Sequence, residues 1–400
     1  MQPTRFFAGV MAALLSVILA ACGGPEATTA DPGAPAATEA PDPGAAGADT
    51  EPPDLEVPAD ASPEELYAAL AGLPWEQREA HLLDCAQEEG EVVWYAAQNV
   101  ESLEAWANDF MELHPEIEVG FSRGKSPDTT DKVLSEARAG RHEVDVIMVG
   151  GPHLSVLRQE ELLAEHHRVP VPEDFPENAV GDWWFSVALI PNVITYNTNL
   201  VSAEEAPQSY EDLLEPQWKG KVAIDLSPQN MVVALVREWG EDRARQYLEE
   251  LVIDNDALVR KGHTNITNLL AAGEFPIAIE LYAYKVAELI DQGAPLAWVA
   301  PDPMPTNTEG TAIAKNAPHP CSAALFMNYL LSERGGDVYA QFGRLPNNPN
   351  VEPLYENIAD LLQDPRISPN TPDNLNPEEV NRGLAIIEEV IVPVYSGQDG

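Results

Sequence analysis

Six residues that could contact a bound ligand follow three predicted strands in the first half of the chain. They are Gln98 and Asn99 after the run 91–96, Arg123 and Lys125 after 117–121, and Gly150 and Gly151 after 144–149. An arginine offers two parallel donors to a carboxylate, phosphate or phosphonate, and glycines expose backbone N–H groups to an anion. These loops therefore predict a site for a small anion.

A second set of polar residues follows two predicted strands in the other half of the chain. The set contains Ser227, Gln229 and Asn230 after the strand that ends at Asp225, and Glu280 and Tyr282 after 275–279. Glu280 and Tyr282, together with Trp183 or Trp184, could enclose a cation by charge and by contacts with ring faces. The residue types thus leave an amine open as a ligand beside an anion.

Spacings typical of catalysis are missing from the sequence, which has no HExxH, P-loop, GxSxG or CxxC pair. We therefore predict a binding protein that is not an enzyme and has no resident cofactor. The chain carries 66 acidic and 22 basic residues, a formal net charge of -44. A field of that sign repels nucleic acid, so we expect no nucleic-acid partner.

The elements that must position these residues alternate between strand-like and helix-like segments, as in an α/β fold with a parallel sheet. Ser62 and Pro63 with two following acids predict the start of a helix. Further strands are expected at 193–197, 222–224, 275–279 and 296–299, and further helices at 322–331 and 379–391. Ligands of such sheets lie beyond the carboxyl ends of the strands, where the residues above are placed.

The N-terminus has the features of an export signal. Arg5 precedes an uncharged run that ends at Ala21, and the following Cys22 completes a pattern that resembles a bacterial lipobox. We expect residues 1–21 to be a lipoprotein signal peptide and Cys22 to be lipidated. Residues 22–61 are rich in Ala, Pro and acidic residues, so they are expected to form a disordered tether.

The two remaining cysteines are Cys85 and Cys321. Outside the cytoplasm an even pair permits a disulfide, although two separate buried thiols would also fit the sequence. We favour the disulfide.

Seven stretches in order resemble the periplasmic solute-binding proteins of the ferric-iron-binding type. They include Gly90-Glu91-Val92-Val93-Trp94-Tyr95, Tyr196-Asn197-Thr198-Asn199-Leu200-Val201 and Lys315-Asn316-Ala317-Pro318-His319-Pro320, with 110–115, 139–146, 212–221 and 273–278 between them. This group belongs to the type 2 periplasmic binding proteins, whose larger family also takes up amines, thiamine and phosphonates. The resemblance covers most of residues 88–350.

The resemblance implies a two-lobe α/β fold with the ligand in a cleft between the lobes. Lobe one would contain residues 62–193 plus 309–400, and lobe two residues 200–305. Two hinge crossovers, at 194–199 and 306–314, would join the lobes. The protein would be the substrate-binding component of an ABC importer, delivering its ligand to the membrane subunits. A ligand-sensing lipoprotein or adaptor with the same fold is the alternative.

The resemblance also implies an iron site in which Tyr282 and Glu280 would supply anionic oxygen. The family places two tyrosines side by side, whereas here Tyr282 and Tyr284 alternate. If a helix begins at this point, the two rings would lie about 200° apart on it and could not hold one ion. Ferric iron and a small anion or amine thus both remain open as ligands. We expect an exported monomer, anchored by its lipid to the cell membrane and facing the periplasm or the cell exterior.

Overall fold

In the computed structural model, residues 61–172 and 175–398 are described. The predicted signal peptide, Cys22 and the tether up to residue 60 lie outside this part of the chain. Among the described residues, no helix is both long enough and apolar enough to cross a membrane.

The strands confirm the alternation expected from the sequence, and β1 has the predicted bounds. They are β1 (Glu91–Ala96), β2 (Glu118–Arg123), β3 (Val146–Gly150), β4 (Phe185–Asn197), β5 (Val222–Asp225), β6 (Leu258–Arg260), β7 (Ile277–Tyr282), β8 (Leu296–Val299), β9 (Met304–Ile313), β10 (Leu345–Pro346) and β11 (Ile367–Asn370).

The α-helices lie between and after these strands. They are α1 (Pro63–Leu70), α2 (Trp75–Glu89), α3 (Val100–Leu113), α4 (Ser126–Arg138), α5 (Gly151–Gln159), α6 (Gln229–Trp239), α7 (Glu241–Glu249), α8 (His263–Ala272), α9 (Ala283–Asp291), α10 (Pro320–Leu331), α11 (Glu333–Ala340), α12 (Pro377–Ile386) and α13 (Val392–Gln398). Ser62 caps α1 in a capping box with Glu65, as its sequence predicts. Short 3₁₀ segments cover Glu177–Ala179, Glu211–Leu214, Pro216–Trp218 and Glu356–Gln363, and π-helical turns cover Glu250–Asp254 and Ile387–Ile391.

The strands form two sheets that share β4. The order is β2-β1-β3-β9-β4-β7-β5-β6, with parallel pairs at both ends of this path. Residues 185–191 of β4 pair with β9 on the lobe-one side, and residues 192–197 pair with β7 and β8 on the lobe-two side. β4 therefore changes partners between Pro191 and Asn192, just before the predicted crossover at 194–199.

Lobe one has an aromatic core that its helices and sheet share. Trp94 of β1 contacts Phe326 of α10 with ring centroids 5.1 Å apart, and it contacts Trp106 of α3 at 5.8 Å. A disulfide joins Cys85 of α2 to Cys321 of α10, with their Cα atoms 5.8 Å apart. The structure thus contains the bridge that the sequence favours, and it links two helices that are 236 residues apart along the chain.

The C-terminal helices pack on lobe two, so the assignment of all of 309–400 to lobe one is wrong for this segment. Ile386, Ile387, Val390 and Ile391 are buried in one cluster with the lobe-two helices α6 and α7. Gly383 allows the close approach, because a Cβ there would lie 3.1 Å from Val233 Cγ2. Helices α10 and α11, by contrast, contribute residues to the lobe-one core.

Between these two cores the chain passes along the junction of the lobes. β11 pairs with β9, and Asn370 at its end accepts a hydrogen bond at 2.9 Å from Arg237 of the lobe-two helix α6. On the opposite side, a Cβ at Gly151 of lobe one would lie 2.6 Å from the carbonyl oxygen of Asn370. The end of β11 therefore contacts both lobes.

Candidate functional site

A cavity of about 190 Å³ lies where the carboxyl ends of β1, β3 and β7 meet the shared strands β4 and β9. Both lobes contribute to its lining, which consists of Ala97, Gln98, Ser126, Val149, Gly150, Ile190, Tyr282, Tyr284, Asn307, Thr308, Glu309 and Arg344. The position agrees with the general rule for ligands of open α/β sheets. Of the residues proposed from the sequence, the cavity brings together Gln98, Gly150 and Tyr282.

The lobe-one side of the cavity is built from helix N-termini and short polar groups. Ser126 is the first residue of α4, and Gly150 is the residue that precedes α5. The Gly150 N–H donates to Ser126 Oγ at 3.3 Å. Helix N-termini carry partial positive charge, so this side favours an anionic group.

Strand β9 supplies three polar side chains that the sequence analysis assigned only to a crossover. They are Asn307, Thr308 and Glu309. Glu309 is buried and accepts a hydrogen bond from the hydroxyl of Tyr339, while Gln98 also hydrogen-bonds to it. Burial raises the pKa of the Glu309 carboxyl above its ordinary value, and Arg344 and these hydrogen bonds oppose that shift.

The two tyrosines stand on the lobe-two side and face the same cavity. Their rings are stacked, with centroids 5.8 Å apart and planes 11° from parallel. The divergence expected if both tyrosines stood on one helix does not occur, because α9 begins only at Ala283 and Tyr282 keeps extended backbone angles of φ -64 and ψ 118. Burial, followed by the charges of Glu280 and Tyr284, raises the pKa of the Tyr282 phenol.

Arg344 completes the cavity and was not identified from the sequence. Its guanidinium carbon lies 3.8 Å from the centroid of the Tyr284 ring and 5.8 Å from that of Tyr339. Burial acts to lower the pKa of Arg344, but the nearby Tyr339 and Glu309 raise it above its ordinary value, so the side chain stays charged. Arg344 follows α11 and precedes β10, far along the chain from the other lining residues.

Glu280 lies beneath the cavity instead of lining it. Its backbone adopts a left-handed φ of 59°, which breaks the alternation that would place Glu280 and Tyr282 on one face of β7. Its carboxylate accepts a hydrogen bond from Met231 N–H and lies 3.2 Å from His263 Nε2. As a metal ligand beside Tyr282, Glu280 would have to leave both partners, and in this structure its side chain does not line the cavity.

His263 connects Glu280 to the cavity. Its ring stacks on Tyr282 with centroids 4.6 Å apart, and its Nδ1 lies 3.9 Å from Asp225 Oδ2. Burial raises the pKa of Glu280. Burial alone would lower the pKa of His263, but the hydrogen bond and charge of Glu280 raise it. Because Glu280 holds the His263 ring and that ring stacks on Tyr282, His263 fixes the orientation of the Tyr282 ring.

The other residues proposed for lobe one do not line this cavity. Arg123 and Lys125 are exposed, and Arg123 Nε donates to the carbonyl of Gln98 at 3.1 Å. The Asn99 side chain caps α3 by accepting from Ser102 N–H at 2.7 Å. Gly151 contacts the end of β11 as described above. Arg123 thus supports the loop after β1.

The residues proposed in the loop after β5 lie at the N-terminus of α6, outside the cavity lining. Ser227 N–H donates to Asp225 Oδ1 at 2.8 Å, and the backbone of Gln229 donates to the carbonyl of Ser227. The Asn370 side chain donates to Asn230 at 3.3 Å. Trp183 and Trp184 are buried in the lobe-one core, so they cannot enclose a cation with Tyr282.

A family model described as bacterial extracellular solute-binding protein matches residues 105–366. The chain belongs to this family. It is similar to Iron uptake protein A1 of Synechocystis sp., with 23% identity over 332 residues that cover 76% of this chain and 86% of the relative. It is also similar to the Fe(3+)-binding periplasmic protein of Serratia marcescens, with 21% identity over 284 residues, 66% of this chain and 83% of the relative.

Solved structures of two-lobe periplasmic binding proteins share the fold. Trichodesmium IdiA (FutA), in complex with iron and citrate, aligns with a TM-score of 0.64 and 21% identity, covering 75% of this chain and 99% of its own. AfuA from Actinobacillus pleuropneumoniae, with fructose-6-phosphate bound, aligns with a TM-score of 0.58 and 20% identity over 75% and 99% of the two chains. The two-lobe solute-binding fold implied by the sequence is confirmed.

Proposed function

We propose that this protein is the substrate-binding component of an ABC importer, which captures a small ligand by closure of its lobes and delivers it to the membrane subunits. The observation that carries the proposal is the shared lining of the cavity: Gln98 and Gly150 come from lobe one, and Tyr282 from lobe two. A ligand that contacts both sides stabilises the closed arrangement by its extra contacts there.

The remaining features fit a binding component rather than an enzyme. The protein would act without catalysis and without a resident cofactor, as a monomer exported and anchored through a lipid on Cys22. It would face the periplasm or the cell exterior. The membership in a solute-binding family supports this assignment, and the motifs of the N-terminus support the anchor.

Ferric iron is one candidate ligand, because two of the relatives are named for iron uptake or Fe(3+) binding. In this chain the oxygen donors of the cavity would be Tyr282, Tyr284 and Glu309. Among the described residues, three or more His, Cys, Asp or Glu side chains gather within metal-binding distance only at Cys85, Glu89 and Cys321, where the cysteines are already bridged. Iron would therefore depend on the two phenols.

Filling the cavity tests the proposed function. A Cβ at Gly150 would meet no atom closer than 3.9 Å, so Gly150→Leu should fold and occupy the cavity. A panel of phosphate, methylphosphonate, citrate, ferric citrate and spermidine is added to wild type and variant. We expect one or more probes to raise the melting temperature of wild type and to reduce its radius of gyration in X-ray scattering.

Gly150→Leu should lose both responses. Gly72→Leu is the matched control, since Gly72 is exposed and has no atom within 4 Å of a Cβ, and it should respond like wild type. Equal responses in wild type and Gly150→Leu would contradict the assignment of the cavity.

A further inference from the structure

Resting on the proposed function, we infer that the transported ligand carries an anionic oxygen group, a carboxylate, phosphate or phosphonate, which Arg344 binds in the cleft. This assigns the ligand class and a specificity-determining residue to the cavity. The sequence suggested Arg123 and Lys125 as the cations that bind an anion. The structure instead favours Arg344, which lies on a different segment of the chain.

Arg344 is a cation that forms no ion pair with a described residue, although Tyr284 hydrogen-bonds to it and the charge of Glu309 acts on it. None of the ion pairs between described residues includes Arg344. Its Nε is buried and has no hydrogen-bond partner among those residues. An unsatisfied buried donor on a charged group costs free energy, and a bound oxyanion would remove that cost.

A second donor in the same cavity lacks a partner. Thr308 is 0% exposed, and its Oγ1 makes no hydrogen bond to any residue that the structure describes. Both Thr308 and Arg344 line the cavity. Buried hydroxyls in folded proteins are nearly always hydrogen-bonded, so these two unsatisfied groups mark a polar part of the cavity wall.

The remaining surroundings favour negative charge at this position. The N-termini of α4, α5 and α9 all reach the cavity, through Ser126, Gly150 and Tyr282. Each contributes partial positive charge. The phenols of Tyr282 and Tyr284 add hydroxyl donors, because the raised pKa of Tyr282 keeps its proton in place at neutral pH.

Glu309 does not cancel this preference. Its carboxyl is already hydrogen-bonded to Tyr339 and Gln98, and burial raises its pKa. A cationic amine would have to bind beside the guanidinium of Arg344, and two like charges in a partly buried cleft repel each other. The cavity volume of about 190 Å³ accommodates a molecule of several heavy atoms, which excludes large polymeric anions.

The test measures binding of phosphate, methylphosphonate, citrate, ferric citrate and spermidine by calorimetry. Wild type is compared with Arg344→Gln, Arg344→Lys and Thr308→Val. Arg123→Gln is the control, because it removes an exposed cation outside the cavity lining. An iron-free anion should bind wild type, and Arg344→Gln should weaken it by about tenfold or more, the equivalent of one charge-assisted hydrogen bond.

Arg344→Lys should retain part of the affinity, because it keeps the positive charge but loses the two parallel N–H donors of the guanidinium. Thr308→Val should lose several-fold, and Arg123→Gln should match wild type. The Thr308 variant keeps the test valid if Arg344→Gln proves unstable. The inference is overturned if Arg344→Gln and Thr308→Val bind the anion as tightly as wild type, or if only spermidine or ferric citrate binds and Arg344→Gln leaves that affinity unchanged.

The proposed function can survive that result. If a neutral or cationic molecule that co-purifies with the protein closes the lobes in wild type and in Arg344→Gln alike, binding by lobe closure stands and the anion inference fails. If neither the five probes nor any co-purifying small molecule closes the lobes of wild type, both fail.

Discussion

The two lobes contribute different chemistry to the same cleft. Lobe one presents short polar groups at helix N-termini, represented by Ser126 and Gly150. Lobe two presents the large stacked rings of Tyr282 and Tyr284, which rest on the buried pair of His263 and Glu280. The lobe-one side thus depends on backbone positions, whereas the lobe-two side depends on a network of ionisable side chains that pH can change.

The lobes also differ in how they are held together. Lobe one has the disulfide between α2 and α10, and among the described residues lobe two has none. Lobe two instead gains the apolar face of the C-terminal helices, which pack on α6. One lobe is stabilised by a covalent link and the other by a segment that arrives from the far end of the chain. A substitution that removes only the disulfide, or only the packing of the C-terminal helices, should therefore destabilise only one lobe.

Removing the C-terminal packing should have the largest effect. Ile386 and Ile391 are 0% exposed in the lobe-two core, so Ile386→Ala with Ile391→Ala should cost about 2–5 kcal/mol for each side chain. Hydrogen exchange should show loss of protection in β5 and α6 while β1 and α3 stay protected. Ile253→Ala, at a lobe-two side chain that is 53% exposed, is the control and should change little. Equal loss of protection in both lobes would show that they unfold as one unit.

Removing the disulfide should have the next largest effect. Cys85→Ala with Cys321→Ala opens a loop of 236 residues and should lower the free energy of unfolding by about 4 kcal/mol. The measurement is chemical denaturation with hydrogen exchange, and α2 and α10 should lose protection before α6 does. Adding a reductant to wild type should reproduce the effect, and it should leave the double variant unchanged. If the double variant is as stable as wild type, the disulfide does not stabilise lobe one and the proposed difference between the lobes is contradicted.

The buried pair beneath Tyr282 should have the smallest of the three effects on stability. His263→Gln leaves the Glu280 carboxyl, which is 3% exposed, without its cation, and we expect a loss of about 3 kcal/mol. The loss should be confined to lobe two. His142→Gln, at an exposed histidine of lobe one, is the control.

The same pair predicts how stability changes with pH. The folded-state pKa of His263 is raised above 6.5, so its contribution is complete below pH 6.5 and is lost as pH rises through the folded value. Burial raises the pKa of Glu280 as well, and a raised carboxyl pKa acts in the same direction from pH 4.5 upward. Melting of wild type should therefore decline above pH 6.5 more steeply than melting of His263→Gln. Parallel curves would show that the pair does not titrate in this range.

Local signals account for the parts of the fold that the sequence predicted well. The apolar run at β1 and the capping box at Ser62 are determined by neighbouring residues, and both appear where they were expected. The apolar residues at 386–391 correctly indicated a helix. They could not indicate which lobe it would cover, because either lobe offers apolar surface and only the path of residues 345–370 decides between them.

In the site, too, the residues placed by local sequence signals could be predicted, and those placed by tertiary packing could not. Gln98, Gly150 and Tyr282 could be located because residues after strand ends meet at one edge of a sheet. Arg344 follows a helix, so the rule about residues after strand ends does not identify it. Its position depends on how α11 packs in lobe one. Asn307, Thr308 and Glu309 carried a usable signal: they lie in a predicted crossover, where side chains face the cleft that the crossover spans.

The passage of the C-terminal segment along the junction has a consequence for the mechanics of the cleft. The shared strands β4 and β9 allow the lobes to bend about the line between them. The chain that runs from α11 to α12 crosses from one lobe to the other beside β9, and at Asn370 it contacts both lobes. We expect this third connection to restrict how far the lobes separate. A restricted opening would favour recapture of a released ligand and so lengthen its residence time in the cleft.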